Sequence, residues 1–255
     1  MKFVFDIDGT ICFDGKTIDV SICEVFDELL KAKHEIVFAS ARPIRDLLTV
    51  LPEQFRQLPM VGGNGAFTFE CGNIQVEYFK NDILQQLFAC IRSNQLTYLA
   101  DSDWDYAFTG DTKHPVYINI DKTRAKNLDI AELQQICKLI LFYPTQEVLQ
   151  EVLKLPVSVV TYKNEHAIDI SPLGVNKVKG LHKLKIDQFI AFGNDSNDQC
   201  LFEQAIYSVC IGNHDVQRFA TETINRADIP ATIRKIIKKL EECNDENTNE
   251  IKTRG

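Results

Sequence analysis

Short apolar runs alternate with amphipathic stretches near both ends of the chain. Each run ends in a polar cluster, as strands of a parallel sheet do when both of their faces are buried. Between the runs, apolar residues recur at helical spacing, for example from Ser21 to Lys33. The pattern predicts strands at residues 3–5, 36–39, 59–61, 188–192 and 208–211, and helices at 21–33, 177–184 and 227–242. Such alternation is typical of an α/β fold with a parallel sheet.

The pattern changes between residues 80 and 170. Helices are predicted there at residues 82–93 and 146–154, and short strands at 98–100, 106–108, 116–118, 137–142, 157–160 and 167–170. We therefore predict a core domain of residues 1–79 and 171–243, interrupted by an inserted α+β domain of residues 80–170. Within the core, a hairpin is expected at residues 67–69 and 74–78. The polar residues 244–255 are expected to form a disordered tail.

The composition narrows the classes of function. The chain has 255 residues with 45% hydrophobic content, enough for one large or two modest domains. Its formal net charge of −8 argues against nucleic-acid binding as the main task, so an anionic substrate needs a local basic pocket. No apolar run is long enough to predict a membrane span, and catalytic-looking residues follow Met1 too soon for a signal peptide. The eight cysteines form no Cys-x-x-Cys pair, so we expect reduced thiols, no zinc site and a cytoplasmic protein.

Two carboxylates directly follow the first predicted strand. Asp6 and Asp8 flank one apolar residue, and Gly9 and Thr10 come next. Ligands of open α/β sheets bind past the carboxyl ends of the strands, where two acids repel each other unless a cation neutralises them. Surroundings rich in oxygen and free of thiols favour a hard ion, and Mg²⁺ fits best. The alternative is an Asp-rich turn in which Gly9 supplies an unusual backbone conformation.

Two further strand ends carry groups that suit a phosphate. Ser40, Ala41 and Arg42 follow the second strand, and Pro43 opens the next helix. A hydroxyl there can donate to a phosphate oxygen where main-chain N–H groups also point, although an N-cap serine is the alternative. The glycine-rich residues 62–66 follow the third strand, and they predict either close approach to a ligand or a plain turn.

Later in the chain, a lysine and an acid-rich strand end add to this pattern. Lys177 lies near a predicted helix start, where a positive charge is unfavourable for the helix dipole, so this lysine is a candidate for a functional role. The alternative is an ordinary solvated lysine. The strand at residues 188–192 ends in Gly193-Asn194-Asp195-Ser196-Asn197-Asp198. In a parallel sheet this segment lies near Asp6 and Asp8, unless it is only a capping turn.

These motifs, in this order and over nearly the whole chain, resemble those of the haloacid dehalogenase (HAD) superfamily phosphatases. Residues 6–10, Asp-Ile-Asp-Gly-Thr, are similar to the Asp-x-Asp-Gly-Thr signature, Ser40 to the second motif, Lys177 to the third, and residues 193–198 to the fourth. The Asn-Gly-Ala turn at residues 64–66 resembles the Cof-like branch with type IIB caps. The resemblance implies a Rossmann-like core with an inserted α+β cap. It also implies a Mg²⁺-dependent phosphatase acting on small phosphorylated metabolites, such as sugar phosphates.

The resemblance further implies roles for individual residues. Asp6 is the expected nucleophile, which forms an aspartyl phosphate, and Asp8 is the expected general acid and base. The residues expected to bind phosphate are Ser40, Ala41, Lys177 and Asn197. The residues expected to ligate Mg²⁺ are Asp6, Asp8, Asn194 and Asp195. The residues expected to position these groups from behind are Asp198, Arg42 and Asn64.

The sequence departs from the family pattern at two positions. Ala41 stands where the family often has glycine, and Asn194 where many relatives have a metal-binding aspartate. We hypothesise that Asn194 ligates Mg²⁺ through its side-chain oxygen while Asp195 supplies nearby charge; the alternative is a shifted turn that puts Asp195 on the ion. Two other functions stay open, a phosphomutase of the same superfamily and a non-enzymatic sugar-phosphate sensor. The intact Asp6, Asp8 and Lys177 argue against the sensor. The sequence selects neither one substrate nor an oligomeric state.

Overall fold

The computed structural model describes residues 1–162 and 165–253, with side chains described as far as Cys243. The strands are β1 (Lys2–Phe5), β2 (Glu35–Ala39), β3 (Met60–Gly62), β4 (Phe67–Glu70), β5 (Asn73–Val76), β6 (Thr97–Asp101), β7 (Tyr106–Phe108), β8 (Lys138–Phe142), β9 (Val157–Tyr162), β10 (Ala167–Pro172), β11 (Phe189–Gly193), β12 (Tyr207–Ile211) and β13 (Glu222–Ile224). The helices are α1 (Val20–Lys31), α2 (Ile44–Val50), α3 (Asn81–Ser93), α4 (Pro115–Ile118), α5 (Gln146–Val152), α6 (Lys177–Lys183), α7 (Gln199–Gln204) and α8 (Ile229–Thr253).

The larger of two sheets has eight strands in the order β13-β12-β11-β1-β2-β3-β4-β5. The pairs from β13 to β3 are parallel, and β4 and β5 add an antiparallel hairpin at one edge. Along β1, Phe3 and Phe5 pack against helices α1 and α8 on one face. Val4 packs against α6 and α7 on the other face. Because both faces are covered, this strand is apolar throughout.

The carboxyl ends of three neighbouring strands meet in the middle of this sheet. β1 lies between β11 and β2, and Phe5 pairs with Phe192 on one side and with Phe38 on the other. Asp6 therefore emerges beside Gly193, which ends β11, and beside the residues that follow β2. This arrangement places three of the polar segments found in the sequence at one edge of the sheet, where α/β folds bind ligands.

The chain between β5 and α6 forms a smaller, antiparallel sheet. Its five strands lie in the order β7-β6-β8-β10-β9. One face packs against α3 and α5, and residues of β6 and β8 line a cavity together with Asp6. β10 extends to Pro172, slightly beyond the predicted insertion of residues 80–170, and the division into two domains stays a prediction.

The predicted fold class, a parallel-sheet α/β core with an α+β insertion, is confirmed. One strand prediction is wrong, because residues 116–118 lie in helix α4. Their β-branched and aromatic side chains favour a strand, but the ring of His114 accepts a hydrogen bond from the N–H of Val116, and Pro115 occupies the first turn. Strand β13 and helix α7 escaped prediction because each is too short to show a clear period.

The disordered tail predicted for residues 244–255 stays a prediction, since side chains are described only as far as Cys243. Helix α8 continues to Thr253, and no glycine or proline interrupts the sequence between Cys243 and that residue. The last two residues of the predicted tail lie outside the described residues. Within the described part of the chain, no helix combines the length and the apolar character that crossing a membrane requires.

Candidate active site

Asp6 and Asp198 share one buried lysine. The ammonium of Lys177 donates to Asp6 Oδ1 at 2.7 Å and to Asp198 Oδ1 at 2.6 Å. Burial raises the pKa of Asp6 to about 7, and repulsion from Asp198 adds to this effect while Lys177 opposes it. Burial works against the charged form of Lys177, but the carboxylates of Asp198 and Asp6 together raise its pKa. When fully ionised, the cluster has two carboxylates for one cation.

Three segments of the chain position this cluster. Asp6 follows β1 directly, and its main-chain N–H donates to the carbonyl of Phe192 in β11 at 2.9 Å. Lys177 is the first residue of α6, where the two carboxylates offset its unfavourable place at a helix start. The second oxygen of Asp198 accepts from the main-chain N–H groups of Asn194 at 2.9 Å and Asp195 at 3.1 Å. Asp198 therefore has little freedom to move away from Lys177.

Arg42 holds Asp8 with two parallel hydrogen bonds. Its Nε donates to Asp8 Oδ2 at 2.7 Å, and its Nη2 donates to Asp8 Oδ1 at 2.6 Å and to the carbonyl of Gly15 at 3.0 Å. Burial works to lower the pKa of Arg42, but hydrogen bonding to Asp8 raises it overall. Arg42 thus contacts the predicted acid and base directly, and Asp8, with 48% of its side chain exposed, lies nearer the solvent than Asp6.

The loop after β2 joins the same site. Ser40 is buried, and its Oγ accepts from the N–H of Arg42 at 3.1 Å, which leaves the hydroxyl hydrogen for another acceptor. The carbonyl of Ala41 accepts from Nζ of Lys138 at 2.5 Å. A lysine of the smaller sheet therefore reaches the loop that was predicted to bind phosphate.

Oxygen-bearing groups converge on the other side of Asp6. With its amide nitrogen facing inward, Asn194 donates to Asp6 Oδ2 at 3.2 Å and to the main-chain carbonyl of Asp8 at 2.9 Å. The hydroxyl of Thr10 donates to Asp6 Oδ2 at 3.0 Å. Gly9 permits this close approach because its φ of 77° is left-handed and a Cβ there would overlap the amide of Asn194.

These groups fit Mg²⁺ in their donor chemistry. Asp6 contributes a carboxylate, Asp8 a main-chain carbonyl, and Asn194 an amide that presents its oxygen to the same place when turned over. The side chain of Asp8 is engaged by Arg42. Asp195 also lines the cavity, but its Oδ1 is engaged in its own loop, where it accepts from the N–H of Ser196 at 2.6 Å and caps the next turn. The geometry therefore favours Asn194 over Asp195 as a ligand.

A ligand set of this kind depends on carbonyl and amide oxygens. Across residues 1–162 and 165–243, no cluster of three or more His, Cys, Asp and Glu side chains has the geometry of a metal site. Mg²⁺ commonly takes only one or two carboxylates from a protein and keeps several waters. The carboxylate of Asp6 with the two neutral oxygens of Asp8 and Asn194 is consistent with this coordination preference.

Asn64 and Asn197 connect the strand ends to the smaller sheet. Asn64 Nδ2 donates to Asp169 Oδ2 at 2.8 Å and to the hydroxyl of Tyr162 at 3.0 Å. Asn197 Nδ2 donates in turn to Asn64 Oδ1 at 3.0 Å. Asn197 lines the cavity, but its N–H donors face Asn64, so the phosphate contact predicted for it requires the amide to turn.

The strand ends and one face of the smaller sheet enclose a cavity of about 210 Å³. On the side of the larger sheet the lining residues include Asp6, Asp8, Ser40, Ala41, Arg42, Asp195 and Asn197. On the opposite side they include the apolar residues Leu99, Val116, Ile120 and Ile140. Because pockets for drug-sized ligands typically measure about 300–1,000 Å³, this cavity suits a small organic ligand.

Sequence reasoning missed the residues that the smaller sheet contributes to the cavity. Asp101 and Lys138 are register partners on β6 and β8, and both line the cavity. The available signal was a charged residue at one end of each apolar strand, but periodicity does not reveal which face of a sheet meets a second sheet. The hydroxyl of Thr10 was noted only as part of a motif, although it contacts Asp6.

Comparison with known proteins adds independent findings. A family model described as haloacid dehalogenase-like hydrolase matches residues 3–242. A curated relative, the 5-amino-6-(5-phospho-D-ribitylamino)uracil phosphatase YitU of Bacillus subtilis (strain 168), is 25% identical over 229 residues, which cover 82% of this chain and 85% of that protein.

Solved structures with the same fold cover nearly all of the chain. The HAD subclass IIB sugar phosphatase BT4131 superposes with a TM-score of 0.74 at 18% identity, covering 95% of this chain and 98% of that one. A haloacid dehalogenase-like hydrolase from B. subtilis has a TM-score of 0.78 at 15% identity, covering 92% and 99%. At these identities the likeness establishes a shared fold.

Proposed function

Because this chain belongs to the haloacid dehalogenase-like hydrolase family, we propose that it is a Mg²⁺-dependent phosphatase of small phosphorylated metabolites, with Asp6 as its nucleophile. The observation that carries this proposal is the setting of Asp6. Its carboxylate is buried beside Lys177 and opens on a cavity that Ser40 and Asp8 also line. A nucleophile held by a cation, together with a hydroxyl donor and a second carboxylate on the same cavity, are the groups that phosphoryl transfer through a covalent intermediate requires.

In the first step, an oxygen of Asp6 attacks the phosphorus of the monoester in line with the leaving oxygen. The bond between phosphorus and the leaving oxygen breaks, and Asp8 gives its proton to that oxygen, so the product leaves as an alcohol. Lys177 holds Oδ1 of Asp6, and Thr10 donates to Oδ2, so the attacking carboxylate is already oriented. The new bond between Asp6 and phosphorus is the aspartyl phosphate.

In the second step, water replaces Asp6 on phosphorus. Asp8, now a carboxylate, takes a proton from the water whose oxygen attacks the phosphorus. The bond between Asp6 and phosphorus breaks, which restores the carboxylate and releases inorganic phosphate. The proton that Asp8 gives up in the first step is therefore regained in the second.

The remaining groups stabilise the transferring phosphoryl oxygens. Lys177 and the hydroxyl of Ser40 donate to them, and such preorganised donors contribute most where solvent is excluded. When bound by Asp6, Asn194 and the main chain of Asp8, Mg²⁺ supplies charge neutralisation to the carboxylate and the phosphoryl group. A phosphoryl group also competes with Asp8 for Arg42, because guanidinium binds phosphate as readily as carboxylate. That competition frees Asp8 for proton transfer.

The proposal for the substrate class is based on what the relatives are described as hydrolysing. The curated relative is named for a phosphatase acting on a phosphoribityl compound, and one structural neighbour is described as a sugar phosphatase. Both descriptions specify phosphate esters of hydroxyl-rich carbon chains. A sugar or sugar-alcohol monophosphate is therefore the class that we propose for this chain.

The direct test is phosphate release by the purified 255-residue chain. The probes are p-nitrophenyl phosphate, ribose 5-phosphate, ribitol 5-phosphate and glucose 6-phosphate, each measured with Mg²⁺ and with excess EDTA. We expect release that depends on Mg²⁺. An Asp6→Asn protein prepared in parallel measures contamination, and release no faster than that background for every probe would refute the function.

The covalent step has a separate readout. Rapid quenching during turnover, followed by borohydride reduction and peptide mass spectrometry, should reveal a reduced residue at position 6. Reduction at another carboxylate would be consistent with phosphatase activity but would refute the assignment of Asp6 as the nucleophile.

A further inference from the structure

One face of the smaller sheet supplies a paired set of residues to the cavity. On β6 and β8, Leu99 pairs with Ile140, and Asp101 pairs with Lys138. All four residues line the cavity, as alternate positions on two neighbouring strands should when one face looks inward. The wall opposite the strand ends is therefore apolar at one register position and charged at the next.

Asp101 stands out among these residues by how it is held. Its side chain is fully buried, and one oxygen, Oδ1, accepts from the guanidinium of Arg45 in helix α2. Arg45 is itself fixed by donation to the carbonyl of Trp104 at 2.9 Å and lies 3.3 Å from the carboxylate of Asp46. The carboxylate of Asp101 thus has one defined orientation.

The other oxygen of Asp101 has no hydrogen-bond partner among the described residues. An unsatisfied buried acceptor is costly and uncommon, so a role confined to pairing with Arg45 leaves Oδ2 unexplained. Asp169 also has an unpartnered oxygen, but Asp169 does not line the cavity. Asp101 alone combines a free buried acceptor with a place on the cavity wall among the described carboxylates of the smaller sheet.

The charges around this wall favour a hydrogen-bond donor over an anion. Lys138 is already paired with Asp169 at 2.9 Å. Asp46, Asp101 and Glu165 line the cavity as well, while its two lining cations, Arg42 and Lys138, are paired with Asp8 and Asp169, so its carboxylates outnumber its available cations. A second phosphate or a carboxylate is repelled there, whereas a hydroxyl or amino group is attracted.

We propose that Asp101 is a specificity-determining residue, whose free oxygen accepts a hydrogen bond from a hydroxyl or amino group of the substrate's leaving group. Arg45 is the positioning residue that fixes this acceptor. The inference rests on the proposed phosphatase function. It assigns to this wall of the cavity the selection of donor-bearing esters over plain alkyl esters of the same shape. Sites built around a buried acceptor reject ligands that lack the matching donor.

The first test uses the wild-type chain and matched substrates. Ribitol 5-phosphate is compared with pentyl phosphate, and glucose 6-phosphate with cyclohexylmethyl phosphate, by kcat/KM in Mg²⁺. We expect at least one hydroxyl-bearing ester to be preferred over its partner by about 30-fold or more. If the kcat/KM values of the two esters agree within about threefold in both pairs, the inference is overturned while the proposed phosphatase function stands. Hydrolysis of none of the four would overturn both.

The second test replaces the free acceptor and removes the charge of the same side chain. In Asp101→Asn the amide oxygen can still accept from Arg45, and the amide nitrogen replaces the free acceptor. We expect the preference for the hydroxyl-bearing ester to fall by about tenfold or more. The matched control is Asp169→Asn, the same change in a buried carboxylate outside the cavity lining, which should keep the preference within about threefold of wild type.

The two variants separate recognition from a general loosening of the structure. An equal loss of preference in both variants, or no loss in Asp101→Asn, would overturn the role of Asp101. If Asp101→Asn does not fold, as judged by circular dichroism and thermal unfolding, the wild-type substrate pairs decide the question.

Discussion

Two sets of buried charges in this protein differ in their balance. The strand-end cluster, Asp6, Lys177 and Asp198, has two carboxylates for one cation. The pair within the smaller sheet, Lys138 on β8 and Asp169 on β10, has one of each, joined at 2.9 Å. Both sets are almost entirely shielded from solvent. Their difference therefore lies in charge, not in exposure.

The different balance of charge affects the pKa of the aspartate in each set. Burial is the main cause that raises the pKa of both Asp6 and Asp169. For Asp6 the next cause is repulsion from Asp198, which raises the pKa further; for Asp169 it is attraction by Lys138, which opposes the rise. The strand-end cluster therefore gains from a bound cation, whereas the pair within the smaller sheet is already neutral; each of its members also contacts a loop at the strand ends of the larger sheet, Lys138 at Ala41 and Asp169 at Asn64.

The largest expected difference between the two sets is in turnover. Asp6→Asn should lower phosphate release by about 10⁴-fold or more, because it removes the nucleophile. The same change in the pair of the smaller sheet, Asp169→Asn, should lower release by about tenfold or less. Steady-state assays with p-nitrophenyl phosphate and Mg²⁺ measure both, and mass spectrometry checks each preparation for deamidation. Equal losses would show that the comparison has no catalytic meaning.

The next difference is in stability on removing the cation. Lys177→Met leaves two buried carboxylates unpaired and should lower the free energy of unfolding by about 3–5 kcal/mol at neutral pH. Lys138→Met should cost less, about 3 kcal/mol or below, because Asp169 keeps its hydrogen bond from Asn64. Methionine retains the length and the apolar stem in both cases. Urea unfolding in EDTA compares them, and a larger loss for Lys138→Met would contradict the unequal balance.

Stability should also depend on pH in a way that isolates Asp6. Its pKa is about 7 in the folded protein and 3.8 in the reference state, so the folded state favours the protonated form. Without metal, stability is therefore fully present below about pH 4 and is lost as pH rises toward 7, by at most about 4 kcal/mol. Asp6→Asn should lack this component. The free energy of unfolding is measured for both proteins from pH 4.5 to 7.5. The same pH dependence in both would refute this contribution of Asp6.

The smallest expected effect is stabilisation by Mg²⁺. At a free concentration 100 times Kd, binding should add about 2.7 kcal/mol to the stability of the wild type. Asn194→Ala should weaken this shift and Asn194→Asp should strengthen it, because a carboxylate adds charge to the ligand set. Asp195→Asn is the matched control. A thermal shift that is lost in Asp195→Asn and kept in Asn194→Ala would place Asp195 on the ion.

Much of the strand-end cluster followed from local pattern. An apolar run that ends in Asp6, and another that ends in the segment containing Asp198, predict parallel strands whose tips carry carboxylates. The unfavourable position of Lys177 at a helix start marked it as a residue with a partner. These inferences needed only the rule that ligands of open α/β sheets gather at strand ends.

Other details of the site depended on contacts between distant segments. The sequence placed Asp8 among the metal ligands, but its carboxylate lies in the fork of Arg42, and its main-chain carbonyl faces Asn194. Residues 116–118 had strand-like side chains, yet the ring of His114 caps a helix there. At residues 116–118 a specific hydrogen bond prevailed over an average preference of the residue type. The metal contact of Asp8 stays a prediction, and its main-chain carbonyl is the atom that can make it.

The sequence by itself determined which strands are buried on both faces and which polar groups stand at their ends, because periodicity records burial along each element. Only the tertiary structure decided that Lys138 reaches the carbonyl of Ala41, 97 residues away in the chain, and that Asp101 faces the cavity. Periodicity separates the two faces of a sheet but does not say what each face meets. That choice is made when the two sheets pack and their charges find partners, so the wall opposite Asp6 emerged only from the folded chain.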